Sequence, residues 1–237
     1  MKITKKLRIV LRENKFLLKY VRPFVVWLLD DLLKRRQKLL LKYGYEAVAI
    51  VHEVAKGINI TYYADCGTLL GFIRENGFIR HDIDLDFSML NAGKEIKSFF
   101  YALEERGFYF ERYVLFDGKL REFSMRYNEI SIDFFNRRIT DDGKNLLVIT
   151  EKVGDFWPTF LRPLPKDFKE FLIHGVKTII PGNYEELLSS EYGEWRIPVR
   201  NWADSMAPKY AKDYSKHENI YIRDRAEWIK FIEEMSD

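Results

Sequence analysis

The segment from Asp82 to Phe87 constrains this chain more than any other. Acidic and apolar residues alternate along it, and a β-strand turns successive side chains to opposite faces, so Asp82, Asp84 and Asp86 would share one face. Three carboxylates a few Å apart repel one another and perturb each other's pKa values unless a cation lies between them. The pattern favours a strand whose acidic face binds a hard divalent ion such as Mg²⁺, with a solvated face as the alternative.

Asp133 is a further acid in similar surroundings. It lies between apolar residues in the β-rich run from Ser131 to Phe135. It could supply a third metal ligand or act as the base for an attacking hydroxyl. A solvated position on the strand is the alternative for a single acid of this kind.

Gly67 and Thr68 offer groups that bind phosphate. They follow a predicted strand from Ile58 to Asp65 and precede a short helix, so a glycine, a hydroxyl and free helix N–H groups meet at one turn. Sixteen residues separate Thr68 from Asp84, enough for a helix and a turn to return the acids to this glycine. Phosphate held beside a metal that paired acids bind is the arrangement that phosphoryl transfer uses.

Together these motifs resemble those of the LicD and fukutin-related transferases, which belong to the nucleotidyltransferase superfold. The resemblance covers about residues 57 to 200 and depends on these residues: Gly67-Thr68-Leu69-Leu70-Gly71, Arg74, Gly77-Phe78-Ile79, the acids from Asp82 to Asp86, Asp133, His174-Gly175, Pro181, Tyr184, Leu187-Leu188 and Tyr192-Gly193-Glu194-Trp195. Arg80 and His81 depart from the proline and tryptophan that usually precede the family's acids. This departure affects the expected substrate contacts and not the metal ligands.

The resemblance implies an α+β fold with a nucleotidyltransferase-like mixed β-sheet core flanked by helices. It also implies a metal-dependent phosphotransferase that moves a phospho-alcohol, preferably phosphorylcholine, to a sugar hydroxyl of a cell-surface glycoconjugate such as lipopolysaccharide, capsule or teichoic acid. The implied donor is CDP-choline, CDP-ribitol or CDP-glycerol, and the acceptor is a glycan or glycolipid. The implied cofactor is Mg²⁺ or Mn²⁺.

By the family pattern, Gly67 and Thr68 hold the donor phosphate, and Asp82 is accessory. Arg74 is expected to neutralise the pyrophosphate, although a surface ion pair fits this residue equally well. The catalytic residues, which are also the metal ligands, are Asp84, Asp86 and Asp133.

Aromatic residues near the end of the resemblance offer a wall for a quaternary ammonium: Tyr192, Trp195 and Trp202. A core position is the alternative, since aromatic residues are common in cores.

The N-terminal arm, residues 1–43, differs in charge from the rest of the chain. It holds thirteen Lys or Arg against three acids, a net +10, so residues 44–237 carry −7 of the formal +3. Apolar residues recur in the arm at three- and four-residue steps, which predicts an amphipathic helix interrupted near Pro23. We expect the arm to bind an anionic membrane surface, with packing on the body as the alternative. A leucine-rich stripe argues against nucleic acid as the partner.

The chain therefore divides into this arm and a LicD-like catalytic domain over residues 44–237. No uncharged run exceeds eight residues, well below the roughly 18 to 20 of a membrane-spanning helix. The single cysteine, Cys66, excludes an intramolecular disulfide framework. We expect a cytoplasmic enzyme, peripheral on the inner face of the cell membrane.

Periodicity and turn residues predict further elements. They are helices over 45–56, 94–106, 184–191 and 223–235, an antiparallel meander over 108–115, 120–127 and 130–136, an ordered surface excursion over 154–168 and a hairpin over 171–180.

Three other functions remain open. A true nucleotidyltransferase would use the same acids to pass an NMP group to a hydroxyl acceptor. A metal-dependent glycosyltransferase also uses an Asp-x-Asp motif, but it normally places a nucleotide-binding half of about 100 residues first. A non-enzymatic, membrane-associated scaffold that binds nucleotide is the third alternative, and the intact acids at 84, 86 and 133 oppose it.

Overall fold

The computed structural model describes residues 22–149, 159–199, 210–211 and 219–235. Within the predicted arm, residues 1–21 lie outside the described residues, as does Trp202. The elements in chain order are α1 (Arg22–Gly57), β1 (Tyr62–Ala64), α2 (Cys66–Arg74), β2 (Asp84–Leu90), α3 (Glu95–Glu105), β3 (Tyr109–Phe116), β4 (Lys119–Tyr127), β5 (Ile130–Ile139), β6 (Asn145–Ile149), β7 (Thr159–Pro163), β8 (Lys169–Ile173), β9 (Val176–Ile180), α4 (Tyr184–Tyr192), β10 (Tyr210–Ala211), β11 (Asn219–Ile222) and α5 (Arg225–Glu234).

Helix α1 crosses the predicted boundary between arm and catalytic domain without interruption. Its 36 residues include the segment predicted as a separate helix over 45–56, so that separation is wrong. Pro23 stands in the first turn, where the missing N–H costs no intrahelical hydrogen bond. Gly44 lies mid-helix because the ring of Phe78 packs there, 2.8 Å from where a Cβ would lie. The domain boundary at residue 43 itself stays a prediction.

A mixed β-sheet forms the centre of the molecule. Strand β1 pairs antiparallel with β2, and β2 pairs parallel with β5. From β5 the sheet continues antiparallel through β4 and β3 to β11, while the end of β5 pairs with β6, which leads to β7 and β10. Strands β8 and β9 form a separate hairpin. These pairings confirm the predicted α+β class, the meander and the hairpin.

The apolar face of the sheet holds the core. Leu85, Phe87 and Met89 of β2 are fully buried. Phe99 of α3 and Trp228 of α5 cover this face, with ring contacts to β5 and β4. Burying one such side chain stabilises the fold by roughly 1.5–3 kcal/mol, so this face anchors β2 firmly. The opposite face of β2 is left for polar side chains.

Two predicted elements differ in their limits or kind. Strand β2 begins at Asp84 and not at Asp82, because the backbone N–H of Asp82 donates to the carbonyl of Ile79 in a turn (3.0 Å). The predicted surface excursion contains strand β7, whose Arg162 is buried, and its residues 154–158 lie outside the described residues.

The exposed part of α1 shows several apolar side chains: Trp27, Leu28, Leu32, Leu33 and Leu41. None of the described helices combines the length and apolar character needed to cross a bilayer.

Candidate functional site

Two neighbouring strands bring the predicted acids to one face of the sheet. Asp84 and Asp86 are two residues apart on β2, and their partly exposed side chains alternate with buried Leu85. The parallel register of β2 and β5 places Asp86 directly beside Asp133. We call the surface formed by Asp84, Asp86 and Asp133 the acid face. Because Asp82 precedes the strand, it reaches this region from a turn.

Burial and mutual repulsion raise the pKa values of the acid face. Burial raises the pKa of Asp84 and raises that of Asp133 to about 7. Burial also raises the pKa of Asp82 to about 6, with the charge of Asp84 adding to the effect. The pKa of Asp86 lies well above its ordinary value because of burial and four nearby carboxylates: Asp84, Asp133, Asp65 and Asp82.

Two arginines that the sequence analysis did not identify lie near these acids. The charges of Arg36 on α1 and Arg112 on β3 lower the pKa of Asp84 and so oppose the effect of burial. Arg112 Nη2 also donates to both carboxylate oxygens of Asp133, at 3.3 and 3.2 Å. Negative charge on the acid face is therefore compensated in part by guanidinium groups.

The turn before α2 brings backbone close to the acid face. Cys66 adopts a positive φ of 48°, which a non-glycine residue seldom does, and such strain concentrates at functional sites. A Cβ on Gly67 would lie 3.0 Å from Asp82 Oδ2 and 3.6 Å from Asp86 Oδ2. Glycine thus leaves room for the carboxylates. Asp65, at the N-cap position, makes no side-chain cap, which leaves the first N–H groups of α2 without a side-chain cap from that residue.

Thr68 connects α2 to β2. Its hydroxyl oxygen accepts a hydrogen bond from the backbone N–H of Asp86 at 2.8 Å, and its side chain is buried. The hydroxyl proton remains available to donate. The contact holds the predicted phosphate turn against the acid face, whereas the predicted role of Thr68 in binding phosphate stays a prediction.

A cavity of about 350 Å³ opens beside this turn. Most of the predicted substrate residues line it, although Thr68 does not. The lining residues are Gly67, Leu70, Arg74, Ile79, His81, Asp82, Tyr192, Trp195, Ile197 and Val199. His81, one of the two departures from the family pattern, thus belongs to the cavity wall. The structure gathers the donor-binding candidates next to the acids, although they lie as many as 128 residues apart in sequence.

Arg74 and Trp195 are joined across the cavity. Arg74 Nη1 donates to the carbonyl oxygen of Trp195 at 3.1 Å, and Arg74 Nε donates to Glu75 at 2.7 Å. The ion pair considered for Arg74 therefore exists, yet the side chain also faces the cavity. The Arg196 guanidinium lies over the Trp195 ring, 4.2 Å from its centroid. Burial raises the pKa of Tyr192 well above its ordinary value, so its hydroxyl keeps its proton.

A second group of charges, which we call the buried network, lies directly behind the turn. Asp65 accepts hydrogen bonds from Arg162 at 2.9 and 3.2 Å, from Arg137 at 3.1 Å and from Ser88 at 2.6 Å. Arg162 also pairs with Glu191 at 3.1 Å. Burial alone would raise the pKa of Asp65, but the two guanidinium charges outweigh it and hold that pKa well below its ordinary value. No local pattern in the sequence predicts this network.

The spacing of possible metal ligands separates the two clusters. Within the described ranges, Asp65, Cys66 and Glu191 form the one group of three whose ligand atoms all lie within 4.8 Å. Arginines already bridge that group, so it is an ion-pair network. The acid face does not reach this spacing, and Asp133 is instead turned toward Arg112. The acid face nevertheless suits a hard divalent cation, because its possible ligands are all oxygens and their pKa values are raised.

Comparison with known proteins matches part of the chain to a family. Residues 59–171 match the family described as LicD/FKTN/FKRP, nucleotidyltransferase domain. This range contains the turn, the acid face, Arg112, Arg137 and Arg162. No curated protein matches the sequence. One similar solved structure is described as the crystal structure of ANT(2")-Ia in complex with adenylyl-2"-tobramycin. It is 13% identical over 68% of this chain and 81% of that chain, and its TM-score of 0.40 is too low to decide the fold.

Proposed function

We propose that this chain, whose residues 59–171 match the LicD/FKTN/FKRP nucleotidyltransferase family, is a metal-dependent phosphotransferase. It moves a phospho-alcohol from a CDP-alcohol to a sugar hydroxyl of a cell-surface glycoconjugate. The observation that carries the proposal is the meeting of the acid face and the cavity at one glycine. Gly67 lines the cavity, and a Cβ there would lie within 4 Å of Asp82 and Asp86.

Each part of this site has a task in the proposed reaction. The α2 turn, with Gly67 and Thr68, binds donor phosphate through backbone N–H groups and a hydroxyl. Arg74 adds positive charge at the cavity wall. Asp84, Asp86 and Asp133 hold Mg²⁺ or Mn²⁺, which would supply charge neutralisation at the pyrophosphate. Asp82 is an accessory acid beside them.

The bond changes follow from the donor. The acceptor hydroxyl oxygen bonds to the phosphorus that carries the alcohol, and the bond from that phosphorus to the bridging oxygen breaks. CMP leaves with the bridging oxygen and its electron pair. Asp133 takes the proton of the hydroxyl, since a carboxylate oxygen within reach of the acceptor can act as a general base.

Phosphorylcholine is the preferred group for transfer. Tyr192 and Trp195 provide aromatic surface, and apolar side chains complete the cavity wall: Leu70, Ile79, Ile197 and Val199. Such a wall suits the methyl groups of a quaternary ammonium better than the hydroxyls of ribitol or glycerol. Cation–π contact would add about 0.5–2 kcal/mol, enough to bias donor choice. Arg196 lies over the Trp195 ring, and Trp195 is only 5% exposed, so only a small part of that ring could meet the headgroup.

The direct test incubates the protein with CDP-choline, CDP-ribitol or CDP-glycerol, Mg²⁺ and a glycan acceptor. We expect CMP release and labelled alcohol on the acceptor, with CDP-choline fastest. Asp142→Asn is a matched control, because Asp142 is an exposed acid in the turn after β5. Labelled nucleotide on the acceptor would instead establish a nucleotidyltransferase. No turnover of any CDP-alcohol by the folded protein would refute the proposal.

We also propose that the arm, residues 1–43, places the enzyme on the anionic inner face of the cell membrane. Its described part exposes Trp27 (61%) and Leu33 (50%) beside Lys34 and Arg35, so apolar and basic groups share one helix. Apolar burial and attraction to anionic lipid would then act together.

Vesicles of phosphatidylglycerol test the arm. Replacing Leu28, Leu32 and Leu33 together by Ser should weaken binding by about tenfold or more, because exposed apolar area is lost. The matched control replaces Leu172 on β8 and Ile220 on β11 by Ser. These two side chains are at least as exposed as the three leucines of α1. Equal binding by both variants would contradict the proposal, and so would binding that does not weaken with salt.

A further inference from the structure

Arg112 is the described cation that touches the acid face directly. It lies on β3, and its guanidinium reaches across β4 to Asp133 on β5. The same Nη2 atom donates to Glu122 at 2.6 Å and to the two oxygens of Asp133 at 3.2 and 3.3 Å. The three side chains are largely buried, so their charges interact through little solvent.

This contact conflicts with the role of Asp133 as a metal ligand. A carboxylate whose two oxygens accept from a guanidinium offers fewer lone pairs to a cation, and the guanidinium charge repels that cation. The ligand atoms of the acid face do not all lie within 4.8 Å of one another, which agrees with this conflict. Asp133 can join the metal site only if its contact with Arg112 loosens.

We propose that Arg112 holds Asp133 in the metal-free protein, releases it to the divalent cation and then binds a donor phosphate. This inference rests on the proposed function. Glu122 keeps the guanidinium in place after the release, because it is almost fully buried and makes the shortest of the three contacts. A guanidinium held in this way presents its other N–H groups to phosphate oxygens in a fixed fork.

Replacing Arg112 should change metal affinity and transfer rate in opposite directions. Arg112→Gln removes the competing charge, so Mn²⁺ should bind about tenfold more tightly in the absence of any nucleotide. The same variant should transfer phospho-alcohol more slowly, because the donor loses a phosphate contact. A purely structural arginine would not raise metal affinity when it is removed.

Arg126 provides a matched control. It is about as exposed as Arg112 (19% against 20%), and it pairs with Glu111 at 2.7 Å without contacting the acid face. Arg126→Gln should leave both measurements close to wild type. Arg112→Lys keeps the charge but lacks the fork, so it should bind Mn²⁺ like wild type and still transfer slowly.

Glu122 needs its own control, because Arg112→Gln removes its closest partner. Arg121 Nη2 lies 3.7 Å from Glu122 and compensates it in part. The double variant Arg112→Gln with Glu122→Gln removes both charges and keeps the local charge balanced. It should fold and transfer as slowly as the single variant, and thermal unfolding checks that both are folded.

The decisive experiment is calorimetric titration of Mn²⁺ into the full chain at pH 8, followed by CMP-release kinetics. Unchanged or weaker Mn²⁺ binding by folded Arg112→Gln would overturn the proposal, as would an unchanged transfer rate. These failures differ from failure of the proposed function, in which the wild type itself would release no CMP from any CDP-alcohol.

Discussion

The acid face and the buried network are neighbouring clusters of carboxylates with opposite electrostatics. The backbone N–H of Asp65 donates to the carbonyl of Asp86 at 3.0 Å, so the clusters share a strand pair. Asp65 is fully buried, and Asp86 is half-buried. The pKa of Asp86 is nevertheless raised well above its ordinary value, by burial and like charges, while that of Asp65 is held well below it by two guanidinium groups.

The difference shows that the protein's own groups balance the charge of the buried network but not that of the acid face. Arg137 and Arg162 already balance Asp65, and their hydrogen bonds occupy its oxygens. Among the described residues, Arg112 is the cation in direct contact with the acid face, whose like charges remain close. Burying uncompensated charge is costly, so a cluster kept in this state is a functional candidate, and the balanced cluster is its support.

The largest effect is expected on turnover. Asp86→Asn should lower the rate of phospho-alcohol transfer by about 1,000-fold or more, because a metal ligand is lost where charge develops. It should not lower the melting temperature, since one of several repelling charges is removed. CMP-release kinetics and thermal unfolding measure both. A folded Asp86→Asn enzyme with wild-type turnover would remove the acid face from the mechanism.

The next effect is expected on stability. Asp65→Asn leaves Arg137 and Arg162 buried without their shared carboxylate, so it should cost about 3–5 kcal/mol of unfolding free energy. Urea denaturation measures the loss. Glu170→Gln is the control, because its pair with Lys177 at 2.9 Å lies on the surface and should matter little. Equal stability of the two variants would show that the buried network is not structural.

A smaller effect concerns pH: the two clusters should change the unfolding free energy in opposite directions as the pH rises. In the metal-free protein, the pKa of Asp133 is about 7, against 3.8 when unfolded, so the folded state holds an extra proton between these values. The unfolding free energy should therefore fall as the pH rises from about 4 to about 7. Asp65 acts oppositely, because its pKa is lowered on folding: its contribution is complete above about pH 4 and is lost below.

Urea denaturation in EDTA at several pH values tests this pair of signs. Asp133→Asn should make the decline between pH 4 and 7 shallower and leave the loss in acid, since Asp82, Asp84 and Asp86 also have raised pKa values. A decline as steep in Asp133→Asn as in the wild type would show that Asp133 holds none of the excess proton.

The smallest expected effect concerns metal affinity. Glu191 belongs to the one described group with tight ligand spacing, but Arg162 occupies it. Glu191→Gln should therefore leave Mn²⁺ affinity unchanged, whereas Asp84→Asn should weaken it. Calorimetric titration compares them, and a loss of affinity in Glu191→Gln would move the metal to the buried network.

The sequence predicted the acid face better than its surroundings. Alternation between Asp82 and Phe87 is a local pattern, and it located β2 to within three residues. Asp82 was placed in the strand wrongly, because a turn hydrogen bond to Ile79 does not show in the alternation. Gly67 and Asp133 were found because each stands in a local pattern, a glycine–threonine pair after a predicted strand and an acid between apolar residues.

The buried network and Arg112 could not be found in this way. Asp65 pairs with arginines 72 and 97 residues away, and no local spacing marks either partner. Arg162 also lies in a proline-rich, aromatic segment that favours a surface excursion. Arg112 meets Asp133 only through the registers of two strand pairs, one of them shifted by a β-bulge. Such contacts depend on strand order, which periodicity does not determine.

Helix α1 also fixes the distance between its exposed apolar end and the acid face. Leu28, Leu32 and Arg36 follow one another at four-residue steps along one side, and Arg36 is close enough to Asp84 to affect its pKa. At 1.5 Å per residue, the nine steps from Trp27 to Arg36 span about 14 Å along the axis. Since α1 is continuous, a surface that binds the helix near Trp27 lies at a fixed distance from the acid face. An acceptor sugar attached to that surface would reach the acid face only if its attachment spans this distance. The length of the attachment would therefore select among acceptors.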